Sequence, residues 1–197
     1  MNQIASQVPQ IAFLGWGSLI WEPNFAFDKW HEAWNLDGPS LPLEFSRVSS
    51  TRLGALTLVI DRKHGQATTV LYCLSKRKNL DDAIEDLRRR EGTALKNIGF
   101  IAKQGAAHRA RDKESKEAIS NWLSEKPGLS AAVWTDLESN FETVRGKQFS
   151  IDSAVDYLQG LDVAAKVKAA EYVWRAPSSV KSSLRETLEV EPWFRRS

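Results

Sequence analysis

Short apolar and β-branched runs fill the first 75 positions of the chain. Ile11–Leu14 (IAFL), Leu41–Val48 (LPLEFSRV), Gly54–Ile60 (GALTLVI) and Ala67–Leu74 (ATTVLYCL) have the residue types of strands. Between the last two lies DRKHGQ, a polar turn containing Gly65, which predicts a hairpin. Helical signals begin at Asn79, an N-cap residue followed by Asp81 and Asp82 in the first turn. That segment, NLDDAIEDLRRREG, ends at Gly92, a suitable C-cap. Asn97–Ala102 (NIGFIA) predicts another strand. Asp112–Lys126 predicts an amphipathic helix carrying Ala118, Ile119, Trp122 and Leu123, stopped by Pro127 and Gly128. Ala131–Trp134 (AAVW) predicts a short strand. From Ile151 the pattern is helical, broken at Gly160 and Pro177, with Ser178 or Ser179 placed to cap a last helix before Pro192. The expected class is α+β, a mainly antiparallel sheet in the first two-thirds with helices inserted and appended.

Composition narrows the function classes. The 197 residues are 42% hydrophobic and 26% charged, enough to bury a core without disulfides or metals. No repeat or low-complexity linker divides the chain. The formal charge of +2 is too small to point to nucleic acid. Lys76–Lys113 carries eleven Lys or Arg against six Asp or Glu, but the charges are scattered over several elements. A solvated face explains them better than an RNA surface, and an RNA-associated protein remains the lesser alternative. Cys73 is the single cysteine, so an intrachain disulfide and a cysteine metal cluster are excluded, and a reduced, buried thiol is expected. MNQIASQVPQ lacks the pattern of a signal peptide, and no run approaches the roughly 20 apolar residues of a membrane span. A cytoplasmic protein without a membrane or nucleic-acid partner is expected.

The first candidate for chemistry is the loop in FLGWGSLIW. Gly15 and Gly17 remove side chains where the first strand ends, and glycine lets a ligand approach the backbone closely. Successive N–H groups in such a turn can converge on an anion or a polarised carbonyl oxygen. Ser18 adds a hydroxyl. Taken alone, this GxGS pattern reads as a plain turn. It is neither a P-loop, since no Gly-Lys-Ser/Thr follows, nor a dinucleotide fingerprint, since the third glycine and helix are missing.

The second candidate is Glu91. On a helix Leu80, Ile84, Leu87 and Glu91 follow the spacing i, i+4, i+7, i+11, which brings Glu91 within about 20° of Leu80. A carboxylate on that apolar stripe, at the helix end where the dipole disfavours negative charge, is pushed toward its neutral form. That suits a group that takes and returns a proton. The competing reading ends the helix at Arg89 or Arg90 and leaves Glu91 to water or an arginine. Glu85, Asp86 and the Arg88–Arg90 cluster read as solvated. His31, His64 and His108 lack ligand spacing, so no metal site is expected. His31 reads as packed between tryptophans, and His64 and His108 as exposed. Ser18 lacks the elbow of a serine nucleophile.

Together these motifs resemble a known family. GWGSLIWEP is similar to the substrate loop of γ-glutamylcyclotransferase-like proteins, and Ile20, Trp21 and Pro23 resemble its glutathione-degrading ChaC-type branch. Phe45–Val59 (FSRVSSTRLGALTLV) is similar to that branch's second and third strands, and LRRREG (Leu87–Gly92) to the family helix that ends in a catalytic glutamate. The resemblance covers roughly Ile11 to Phe100. At Trp16 the family usually has tyrosine, the Gly-Tyr that often follows the catalytic helix is replaced by TALKNIGF, and Ile151–Ser197 matches no family element.

The resemblance implies a largely antiparallel, barrel-like sheet over residues 1–150; the helical pattern of 151–197 reads as an extension packed on the same domain. It implies cyclisation of a γ-glutamyl compound, glutathione or another, to 5-oxoproline and a free amine, without a cofactor. Glu91 would be the general base and acid. Gly15, Trp16, Gly17, Ser18 and Leu19 would form the substrate loop, with Trp16 or Trp21 as a wall. A non-catalytic binding module for a small acidic metabolite is the alternative on the same fold. A carboxylate on the apolar stripe argues against it, since a binder of acidic ligands gains little from one.

Overall fold

The early apolar runs do form strands, but they do not stay together. A computed structural model describes residues 10–103 and 107–195. In chain order the strands are β1 (Gln10–Gly15), β2 (Ser40–Val48), β3 (Leu56–Ile60), β4 (Gln66–Thr69), β5 (Leu71–Leu74), β6 (Ile98–Ala102), β7 (His108–Arg109) and β8 (Leu129–Thr135). The helices are α1 (Phe25–Asp28), α2 (Leu80–Glu91), α3 (Lys113–Ser124), α4 (Phe141–Arg145), α5 (Ile151–Gln159), α6 (Val163–Arg175) and α7 (Ser183–Leu188). The class is α+β, with one mixed and one antiparallel sheet. No helix of the described residues is long and apolar enough to cross a membrane.

The chain divides into two compact units, each assembled from separate stretches of sequence. The first takes the described residues of Met1–Gly15 with Pro23–Pro39 and Leu71–Asp136. Its sheet has the order β5-β1-β8-β6-β7. β1 runs antiparallel to β5 and parallel to β8, and β8, β6 and β7 continue antiparallel. β1 and β8 are buried over almost their whole length, which suits their near-continuous apolar sequence rather than an alternating one. α2 and α3 pack against β8 and β6, closing a core that includes Phe13, Leu87, Ile98, Ile119 and Trp134.

Both helices start and stop as their sequences direct. The Asn79 side chain accepts the Asp81 N–H at 2.8 Å, and Gly92 ends α2 at φ 58°. The Asp112 carboxylate accepts from the N–H groups of Glu114 and Ser115 and so caps α3.

The second unit joins Trp16–Glu22, Ser40–Val70 and the described part of Leu137–Ser197. Its sheet has the order β3-β2-β4. The hairpin expected around DRKHGQ is therefore absent: β3 and β4 flank β2 instead of pairing. Leu43 of β2 is opposite Ile60 on one side and Gln66 on the other. A tight turn carries the chain across. The Asp61 carboxylate accepts from the Lys63 and His64 N–H groups, and the Asp61 N–H donates to the Pro42 carbonyl at 2.8 Å. A Cβ on Gly65 would lie 2.6 Å from the Pro42 carbonyl carbon, so the crossing needs glycine there.

The run Ala67–Leu74, expected as one strand, is two. It breaks at Val70, with β4 in the second unit and β5 in the first. The run is β-prone throughout; the break follows from different pairing partners, which propensity does not specify.

α4 and α7 pack on β2, α6 packs on β3, and α5 packs against α6 and α7. The last helix is capped by Ser182, not by Ser178 or Ser179. The reason lies in β2. Glu44 is fully buried, and its carboxylate accepts from the Ser182 hydroxyl, the Ser183 N–H at 3.0 Å and the Phe45 N–H at 2.7 Å. Burial pushes the Glu44 carboxyl above its ordinary value, and these hydrogen bonds offset that only in part.

Candidate functional site

Gly15 is the last residue of β1, opposite Leu71 of β5. From Trp16 the chain turns sharply. The Ile20 N–H donates to the Gly17 carbonyl at 3.0 Å, and the Glu22 N–H to the Ser18 carbonyl at 2.8 Å. Trp16 and Leu19 are buried, and the Trp16 indole N–H points at the Leu58 carbonyl of β3, 3.4 Å away. Trp21 is half-buried and meets Tyr172 of α6 edge-on at 5.4 Å.

Gly17 is required for space rather than for unusual torsion. The positive-φ glycines among the described residues are Gly54, Gly92 and Gly146. A Cβ on Gly17 would instead sit 2.5 Å from the Tyr172 hydroxyl oxygen. Beside it, Arg52 Nη2 donates to Ser18 Oγ at 3.0 Å and to Glu22 Oε2 at 2.5 Å. The same guanidinium lies over the Tyr172 ring, 5.2 Å from its centroid. Tyr172 is buried, with 6% of its surface exposed.

Arg52 is presented by a short 3-10 turn, Ser50–Arg52, followed by Leu53 at φ 52° and Gly54 at φ 86°. A left-handed leucine is disfavoured by roughly 1–2 kcal/mol and persists because its surroundings fix it. Here the Ser49 carbonyl accepts the Gly54 N–H at 2.9 Å, and the Tyr157 hydroxyl of α5 donates to the Gly54 carbonyl at 2.7 Å.

Glu91 stands in the first unit. α2 continues through it, so the helix does not end at Arg89 or Arg90. Ile84 and Leu87, on the same stripe, are buried. The Glu91 side chain is 20% exposed, its Oε1 is closed to solvent, and Arg90 Nη1 approaches that oxygen at 4.0 Å.

Its neighbours are less solvated than their sequence implies. Asp86 is half-buried in a bidentate pair with Arg77, at 2.7 and 3.1 Å, and the Arg77 guanidinium stacks 3.4 Å from the Trp30 ring centroid. Arg90 is 9% exposed along its side chain. Glu85 accepts from Arg88 and Arg89, and those hydrogen bonds hold its carboxyl down to about 2. Much of the apparent basic stretch is thus engaged with acids of its own unit. His31 packs as expected, but between Phe27 and Trp34 rather than between two tryptophans. His64, expected exposed, is half-buried against Phe149, with Nδ1 3.3 Å from Asp61 Oδ2.

Of the residues singled out from sequence, Gly15 and Glu91 belong to the first unit and Trp16, Gly17, Ser18 and Leu19 to the second. Around Gly17 and Ser18 the structure gathers Arg52, Glu22 and Tyr172, which the sequence reading did not select. Arg52 lies inside the family-like stretch Phe45–Val59 and was within reach of that comparison; Tyr172 lies in the C-terminal third, where no motif pointed to it. Comparison with protein-family models, with curated proteins and with solved structures found no match to this chain.

Proposed function

We propose that this chain is a γ-glutamylcyclotransferase-like enzyme that converts a γ-glutamyl compound to 5-oxoproline and a free amine. The family's barrel-like sheet belongs to the same proposal. The observation that carries it is Glu91: a glutamate at the last position of α2, on the buried stripe, with one carboxylate oxygen closed to solvent. Water-facing glutamates are common; one withdrawn at a helix C-terminus needs a reason, and proton transfer supplies one. The glycine-serine loop at the end of β1 supports the reading, as do the sequence motifs around it.

The reaction is an internal displacement. The substrate's α-nitrogen forms a bond to its own γ-carbonyl carbon, the carbonyl becomes an oxyanion, and the bond from that carbon to the amine nitrogen then breaks. Glu91 relays two protons in turn: the α-ammonium group gives up one before the attack and the attacking nitrogen a second as the lactam forms, and both pass to the departing amine, which leaves as an ammonium, so charge and protons balance without water. The backbone of Gly15–Leu19 receives the substrate carboxylate or the oxyanion. Holding amine and carbonyl in contact supplies much of the rate, because the nucleophile is part of the substrate.

The test is release of 5-oxoproline from a panel that includes glutathione, γ-glutamyl amines and γ-glutamyl dipeptides. Glu91→Gln is expected to lower kcat by roughly 100- to 10,000-fold while the melting temperature is kept. Full activity in that variant, or no release from any compound by the wild-type protein, overturns the proposal.

A further inference from the structure

The helices after residue 150 match no family element, yet two of their tyrosines reach glycines of the second unit. Tyr172 of α6 places its hydroxyl against Gly17, where a Cβ would be 2.5 Å away. Tyr157 of α5 places its hydroxyl against Gly54, where a Cβ would be 2.6 Å away, and donates to that residue's carbonyl. Gly17 lies in the glycine-serine loop, and Gly54 lies in the turn that presents Arg52. Arg52 then closes the arrangement, reaching Ser18 Oγ, Glu22 Oε2 and the face of Tyr172.

We propose that Arg52 and Tyr172 are positioning residues that hold the Gly15–Leu19 loop in its substrate-binding form, with α5 and α6 as the supporting frame. This rests on the cyclotransferase reading for what the loop binds, but not for the claim that the two residues fix its shape. The chemistry is specific. The guanidinium nitrogen Nη2 carries two N–H donors, so that one atom can restrain a hydroxyl and a carboxylate four residues apart while the planar group lies over the Tyr172 ring. Ser18 and Glu22 are also joined through the backbone, since the Glu22 N–H donates to the Ser18 carbonyl. The loop is therefore tied at both ends of one turn, and Tyr172 blocks it from collapsing inward at Gly17. Neither residue exchanges a proton or forms a bond in the reaction.

Such residues act on binding, not on the chemical step. Arg52→Met and Tyr172→Phe are expected to raise KM for the γ-glutamyl substrate about tenfold and to change kcat less than threefold. Glu91→Gln is expected to do the reverse. Arg52→Lys keeps a charge but not the planar group over Tyr172 and is expected to recover only part of the loss. Hydrogen exchange gives a readout that needs no activity: the Ile20 and Glu22 amides, which close the turn, are expected to exchange at least tenfold faster in both variants, with β2 and β3 amides unchanged. Gly17→Ala is expected to disturb the same amides more strongly than Tyr172→Phe does, and adding Tyr172→Phe is expected to bring them back to the level of Tyr172→Phe alone, because the ring carbon behind the hydroxyl would be an ordinary 3.6 Å from the new methyl. Unchanged exchange in the single variants, or no rescue of Gly17→Ala, overturns the proposal. A wild-type protein that releases no 5-oxoproline but shows the exchange changes and the rescue defeats the cyclotransferase reading and leaves the positioning role standing.

Discussion

Gly99 and Trp134 are direct partners in the β6–β8 ladder, and the indole lies over the glycine so closely that a Cβ there would meet its Nε1 at 2.5 Å and Cζ2 at 2.6 Å. Trp134 is fully buried, so its ring has no free space to retreat into. Gly99→Ala is therefore expected to cost roughly 1–3 kcal/mol, the usual range for overpacking a core. Chemical denaturation checks this, and a cost below about 0.5 kcal/mol contradicts it.

Tyr157 and Gly54 offer a paired test in the second unit. Tyr157→Phe removes one hydrogen bond and is expected to cost about 0.5–1.5 kcal/mol. Gly54→Ala is expected to cost more, because φ is 86° and the new methyl meets the tyrosine hydroxyl. The double variant is expected to cost less than the sum, since Tyr157→Phe removes that clash, and a double-mutant cycle on unfolding free energies measures the difference.

Glu44 sets a pH dependence whose sign can be worked out. Its folded-state value is raised, chiefly by burial. A group raised on folding contributes stability that is fully present below its unfolded value and is lost as pH rises through the folded one. Relative to the wild type, Glu44→Gln is thus expected to gain stability as pH rises from the ordinary glutamate range toward neutrality. Melting temperatures for the two proteins across pH 4 to pH 8, on the order of those limits, show whether the gap moves that way. Glu44→Ala leaves the donors at Ser183 and Phe45 unmet and is expected to lose roughly 1–3 kcal/mol at acid pH, a loss that narrows as pH rises.

Asp112 caps α3 through two backbone donors, at 2.7 Å from Ser115 and 3.3 Å from Glu114. Asp112→Ala is expected to cost about 1 kcal/mol and Asp112→Asn much less. Faster amide exchange confined to the first turn of α3 is the local signature.

The elements were legible where the sequence carries local chemistry. Asn79, Asp112 and Gly92 mark helix ends through side-chain acceptors or left-handed torsion, and those ends stand where they were expected. Partnership was not legible. ATTVLYCL reads as one strand because nothing in it names two different neighbours, and DRKHGQ reads as a hairpin because the close approach to Pro42 depends on the fold. In the candidate site, Gly17 and Ser18 stood out by residue type. Asp86 and Arg90 read as solvated because their shelter comes from Arg77, Trp30 and packing remote in sequence. Tyr172 went unnoticed because an aromatic in an amphipathic helix is ordinary until the glycine opposite its hydroxyl is known.

The parallel neighbour of β1 has a bearing on how the chain is made. Ile11 and Ala131 sit side by side, so β1 leaves the ribosome long before the strand it lies against. At roughly 5–20 residues added per second, an early β1 waits on the order of ten seconds. β5 can cover one edge sooner, at Leu71–Leu74, but the other edge stays open through most of translation. A nascent chain halted before residue 129 would display that edge's unpaired backbone groups, a template for pairing with other chains.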